Sequence, residues 1–313
     1  MPPRFLLLAL LLTTALPGIR ASENPGQAPG PPSRATGPVD DYAQSIEAWR
    51  AARTARLTTP DGWLALIGRH QLAPGANTVG TAEDNSIRLA AGPPYLATVT
   101  LGADRRVTLD PVPSALMEID GVRVRSAVTL VYQGEKPTRV TFGTANFYVM
   151  PRGENLYLRV RDTTAATLKN FAGIDYFPID PAWRIAADWV PFDPPRQVNI
   201  TNMIGVTEPA PVPGKAVFTH EGRTVELLPI DEGGDTLFFV LTDLTAGEET
   251  YEASRFLYAP RPKAGDGKIV LDFNKMQNPP CAFTQFATCP LPPKENRIPF
   301  RVPAGEKAYR GKH

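Results

Sequence analysis

The residues best suited to chemistry crowd the C-terminal stretch LDFNKMQNPPCAFTQFATCPLPPKENRIPFRVPAGEK, where Asp272, Asn274, Asn278, Asn296 and Glu306 are interleaved with prolines. Two carboxylates suffice to hydrolyse a polar, glycan-like substrate, one protonating the leaving group and the other activating water, so Asp272 and Glu306 are the candidate catalytic residues. Just upstream, Tyr251 and Arg255 add a phenol and a guanidinium. Arg255 either clamps a substrate carboxylate or phosphate, or pairs with a buried carboxylate such as Asp272. Tyr251, Arg255, Asp272, Asn274 and Asn278 form the expected ligand-binding set. The competing structural reading is that the Asp and Asn side chains satisfy the loop's own backbone groups.

Other chemistry is thinly represented. No GxSxG elbow, HExxH pair, SxxK with KTG, or phosphate-binding glycine pattern occurs. His70 and His220 have no histidine partner nearby in sequence and read as turn or surface residues. The DEGGD run at Asp231–Asp235 offers oxygens suited to Ca²⁺, but a hairpin connection explains it without metal. No metal and no cofactor is expected. The only cysteines, Cys281 and Cys289, lie close together near the C-terminus. In an exported chain such a pair is expected to form a disulfide, a local staple on an irregular loop, in preference to a thiolate metal site.

The elements that would position these groups are mostly strands. Proline, at 34 of 313 residues, is about twice its usual share of roughly 5%, which argues against a helical bundle. From Gly62 to Met150, short β-branched runs alternate with turn residues at a spacing typical of a β-sandwich, with hairpin signals at Asp120-Gly121 and Gln133-Gly134. A second β-rich region follows, with strands at KAVFTH, RTVELLPI, DTLFFVLTD, ASRFLYA and KIVLDF, and then the proline-rich segment. Ahead of the strands, Tyr42, Ile46, Trp49 and Arg53 recur at helical spacing behind Asp40 and Asp41, predicting an amphipathic helix over 41–59 that docks on the following domain.

Lys and Arg number 33 against 32 Asp and Glu, which excludes nucleic-acid binding through bulk positive charge. Residues 1–21, with Arg4 before the apolar run Phe5–Leu12 and Ala21 at a possible cleavage point, read as a secretory signal peptide. Residues 22–40 are rich in Pro, Gly and Ser and are expected to be a disordered linker. No segment is long and apolar enough to span a membrane after cleavage, so a periplasmic or secreted location is expected.

The runs LTTPDGWLALIGRHQLAPGANTVG, DEGGDTLFFVLTDLTAGEETYEASRFLY and the NPPCAF and TCPLPP pair resemble the bacterial family called domain of unknown function 1684, over about Trp49 to Glu306. That resemblance implies kinship and a bacterial origin, and no particular activity. Residues 68–150 also resemble a forkhead-associated β-sandwich in strand order. The phosphothreonine-reading Arg, Ser and His of that family have no counterparts here: Thr81 follows Gly80, and the loop after Leu89 reads AAGPPYLA. The combined expectation is a mainly all-β protein, with a sandwich over 60–155 and a second β-rich domain over 156–313. It is expected to bind a small polar ligand or an envelope component without catalysis, the alternative being a hydrolase using Asp272 and Glu306.

Overall fold

Among the described residues of the first half of the chain, eleven strands build two facing sheets. A computed structural model describes residues 38–311 apart from residue 135. The expected signal segment and residues 22–37 of the expected linker lie outside the described residues. The strands are β1 (Leu66–Gln71), β2 (Gly75–Gly80), β3 (Ile87–Arg88), β4 (Ala97–Leu101), β5 (Val107–Pro111), β6 (Glu118–Ile119), β7 (Val122–Arg123), β8 (Val128–Thr129), β9 (Val140–Phe142), β10 (Ala145–Arg152) and β11 (Asn155–Asp162). They form a six-stranded sheet in the order β1-β11-β10-β9-β6-β7 and a five-stranded sheet in the order β3-β2-β4-β5-β8. Alternation sends Val79, Val99 and Leu109 from one sheet and Phe147, Leu158 and Val160 from the other into a shared core. Asp120 and Gly121 both take positive φ between β6 and β7, as a two-residue hairpin turn requires. The expected boundary at 155/156 falls just inside the start of β11. That strand is paired along its length with β10 and also with β1, so the sandwich ends at Asp162.

Six further strands follow: β12 (Arg184–Thr201), β13 (Thr207–His220), β14 (Arg223–Leu227), β15 (Thr236–Leu241), β16 (Arg255–Pro260) and β17 (Lys268–Asp272). The order β14-β13-β12-β17 makes one sheet and β15-β16 a separate hairpin, the two closing a second core around Leu237, Phe239, Leu257 and Leu271. The apolar run LFFVL of β15 is buried on both faces. Leu237 and Phe239 enter that second core, while Phe238 and Val240 face Phe256, Ala287 and Cys289 on the other side.

The distal halves of β12 and β13 project as a two-stranded arm beyond an irregularity between Pro191 and Arg196. Pro191, Pro194, Pro195, Pro209, Pro211 and Pro213 lack N–H donors, which keeps the arm's edges from pairing further. Its tip folds onto the C-terminal loop. The Met203 N–H donates to the Cys289 carbonyl (2.9 Å), and the Leu291 N–H donates to the Thr201 carbonyl (2.8 Å).

The N-terminal helix α1 spans Pro38–Leu57, so Pro38–Asp40 of the expected linker are helical. The predicted stripe is the buried one: Ile46, Arg53 and Leu57 are buried and Tyr42 and Trp49 half-buried. Its polar anchors lie on the C-terminal part of the chain and not on the following sandwich. Tyr42 donates to Asp272 (2.8 Å), Arg50 to the Phe177 carbonyl (2.9 Å) and Arg53 to Glu306 (2.9 Å). The C-terminal loop in turn docks on the six-stranded sheet. Thr284 donates its hydroxyl proton to the Leu66 carbonyl, Arg69 donates to the Ala287 carbonyl, and Arg152 Nε donates to Thr288 Oγ1, each at 3.0 Å.

Candidate functional site

The expected catalytic carboxylates are not brought together in one open pocket. Glu306 is 0% exposed; Oε1 accepts from Arg53 and Oε2 from the Asn278 N–H at 2.6 Å. Burial raises its pKa above the usual carboxylate value, against the lowering effect of Arg53. Asp272 is buried where it accepts from Tyr42, with Lys275 Nζ at 3.6 Å, and it borders two depressions that Glu306 does not line, one with Ser45 and Arg184 and one with Tyr258 and Lys268. The helical partners of the two carboxylates, Tyr42 and Arg53, are about 16 Å apart along the helix axis. Burial closes Glu306 to water, so the acid–base pair required for hydrolysis is not assembled.

The expected ligand-binding set is largely a structural clasp. Arg255 is 1% exposed and pairs with Asp243 at 2.5 Å, where Asp272 was the expected partner, and it also donates to the Val302 and Ala304 carbonyls. Asn274 holds the backbone of Asp180 through both its amide nitrogen and its oxygen. Asn296 does the same for Leu228 and also donates to the Val240 carbonyl. Tyr251 is half-buried beside Met203, its hydroxyl pushed up to about 12 by burial and, secondarily, by the two cysteines. Asn278 alone of this set lines the cleft beside the six-stranded sheet described below. Its Nδ2 donates to the Lys307 carbonyl, and its Oδ1 is buried without a partner. The DEGGD loop carries an Asp231–Arg261 ion pair and leads into β15, as a hairpin connection should. His220 stacks between Trp183 and Phe300.

Cys281 and Cys289 are unbridged in the structure, which therefore does not show the expected disulfide. Each backbone N–H donates to the other residue's Sγ, at 3.1 and 3.3 Å, which places the two sulfurs side by side.

A cleft of about 420 Å³ lies where the outer face of the six-stranded sheet meets the β15–β16 hairpin, the arm and the C-terminal loop. Its volume falls within the ~300–1,000 Å³ of small-molecule sites. Trp63, Ile200, Ile230, Phe238 and Phe256 provide apolar walls; Arg152 and Arg159 provide charge. Strand alternation explains the arginines: in β11, Leu158 and Val160 fill the sandwich core, so Arg159 and Arg161 emerge on the opposite face. Register sets Tyr148 of β10 and Arg69 of β1 on either side of Arg159.

Arg159 is 6% exposed, with its guanidinium 4.7 Å from the centre of the Trp63 ring. Nη1 donates to Tyr148 Oη at 3.3 Å; Nε and Nη2 have no hydrogen-bond partner. Among the described residues no carboxylate lies within 4.0 Å of either Arg152 or Arg159. Burial lowers the pKa of Arg152, and the neighbouring charge of Arg159 lowers it further. Glu208, which accepts from the Gly153 N–H at 3.3 Å, acts against that lowering of Arg152, and Tyr258 has a hydroxyl pKa raised to about 12 by burial and by Glu232. Two adjacent cations in an aromatic cleft without an ion-pair partner form a seat for an anion.

Sequence reasoning missed Arg152 and Arg159. For Arg159 the signal was present in NLYLRVRD, a strand whose arginines, Arg159 and Arg161, alternate with core residues and so must share one face.

Residues 169–307 match the family described as "Protein of unknown function (DUF1684)", which bears out the resemblance over the C-terminal part of the chain. The sandwich lies outside the matched span. The solution NMR structure of an uncharacterized protein from Haloarcula marismortui is 28% identical, covering 46% of this chain and 80% of that one, with a TM-score of 0.39. No curated protein matches the chain.

Proposed function

We propose that this protein binds a small organic anion with an apolar body in the cleft between the sandwich and the C-terminal sheets. In this reading it is a non-catalytic binding or accessory protein, exported by its N-terminal segment to the periplasm or beyond. The observation that carries the reading is the Arg152–Arg159 pair, neither of which has a carboxylate within 4.0 Å, with Arg159 buried and two of its nitrogens without a partner. An uncompensated buried charge costs several kcal/mol, and a ligand carboxylate, sulfonate or phosphate offsets that cost by accepting from the guanidinium. Trp63, Phe238 and Phe256 would cover the ligand's apolar part. The hydrolase alternative loses its basis with the enclosure of Glu306.

The test uses naphthalene-2-sulfonate and its neutral near-isostere 2-naphthol, titrated by calorimetry against the full chain and Arg159→Met. The sulfonate binds more tightly than the naphthol, and Arg159→Met weakens it at least about tenfold, the equivalent of ~1.4 kcal/mol. Equal affinity for both compounds, or no effect of the substitution, would overturn the reading. Fractionation of cells expressing the full chain tests export separately.

A further inference from the structure

The two cysteines sit on the segment that forms one wall of the cleft. Ala287, Thr288, Cys289 and Pro290 line it, and this wall is held to the arginine face by the Arg69–Ala287 and Arg152–Thr288 hydrogen bonds. The same wall carries the tip of the arm, through the Met203 N–H on the Cys289 carbonyl. Reciprocal N–H···S bonds align the two sulfurs across the loop, and Cys281 is only partly buried, so a reagent can reach it.

We propose that Cys281 and Cys289 are a reversible dithiol–disulfide pair that sets the anion affinity of the cleft, an inference that rests on the binding reading above. The oxidant is an exchangeable disulfide. The Cys281 thiolate, its proton lost to water, attacks one sulfur of that disulfide, forming a mixed disulfide and expelling one thiolate. Cys289 then loses its proton and attacks the Cys281 sulfur, expelling the second thiolate and closing the Cys281–Cys289 bond. The protein loses two electrons and two protons, and the oxidant becomes two thiols.

The order of attack follows from the surroundings. The thiol of Cys281 is held below the usual range, chiefly by its hydrogen bond with Cys289 and further by Arg69 and Arg159, whereas that of Cys289 is raised by that same hydrogen bond and by burial. One effect makes the oxidised form the tighter binder. A cross-linked loop is confined to its seated position, which reduces the ordering cost of binding.

The full chain, which has no other cysteine, is equilibrated across ratios of reduced to oxidised glutathione, alkylated with iodoacetamide and weighed by mass spectrometry. Two alkylated thiols should give way to none, with loss of two hydrogens, at a defined ratio. After glutathione is removed, naphthalene-2-sulfonate should bind the oxidised protein at least about threefold more tightly than the reduced. Cys281→Ser, at the cysteine that does not line the cleft, should abolish that difference while retaining binding. Thiols that stay alkylatable at every ratio, or equal affinity in the two states, overturn the proposal. Interconverting thiols with no sulfonate binding in either state instead overturn the binding reading beneath it.

Discussion

Two buried arginines in this molecule have opposite surroundings, and the contrast predicts opposite behaviour on substitution. Arg255 is neutralised by Asp243 and donates to two carbonyls. Arg255→Met leaves Asp243 buried and unpaired and should cost about 3–5 kcal/mol in urea unfolding. Arg159 has no such partner, so Arg159→Met removes an unpaired buried charge and should leave the protein at least as stable as wild type, by up to about 4 kcal/mol in urea unfolding, while losing anion binding. Glu306 adds a pH dependence. Its carboxyl is raised by burial above 4.5, so the folded state holds a proton that the unfolded chain releases, and its contribution is fully present below the unfolded pKa. Wild-type stability relative to Glu306→Gln should therefore fall as pH rises from 4.5 through the raised value, as read from urea midpoints across that range. A flat difference would show that Arg53 fully offsets the burial. At this scale the sequence was legible only in part. The polar residues of the C-terminal stretch were conspicuous because they hold irregular backbone, and that demand is what hides them from solvent. The cleft arginines looked like ordinary strand residues because nothing local shows that a sheet's outer face will be covered.

The elements were more readable than the contacts among them. Periodicity located α1 and the sandwich strands, and the β15 run LFFVL carried a strand signal strong enough to survive burial on both faces. Local pattern could not show that α1 packs against residues far along the chain, nor that β11 completes the sandwich, because both depend on long-range pairing. One such long-range junction makes a sharp prediction. Gly305 has φ of +79°, and a Cβ there would lie 2.5 Å from the Met276 carbonyl oxygen. The following N–H, of Glu306, donates to that same oxygen at 2.8 Å. Gly305→Ala is strained by its backbone conformation and blocked by main chain that cannot yield without moving Glu306. It should cost at least about 2 kcal/mol in chemical denaturation. Gly121, also at positive φ but with nothing within 4 Å, should lose only about 1 kcal/mol on the same change.

At the scale of the whole molecule, the cleft belongs to neither half of the chain. The sandwich contributes Arg152 and Arg159, the C-terminal hairpin contributes Phe238 and Phe256, and the arm and loop close the remaining sides. Formal charge over the chain is only +1, so the attraction for an anion is a local property of one sheet face and not a field extending from the surface. A ligand seated there touches both halves and binds only when both are folded and docked. Ligand stabilisation must then act on their common unfolding. At a free concentration of 100 times Kd the gain is about 2.7 kcal/mol, worth roughly 5 °C or more for a chain of this size. Calorimetric scans with naphthalene-2-sulfonate should show one transition that moves upward as a whole, and no such movement with Arg159→Met. Two transitions, of which only one responds, would mean that the halves unfold independently and that a single half holds the anion. The hydrogen bonds from Arg69, Arg152 and Thr284 across the junction favour the shared transition, because each would have to break before either half could open alone.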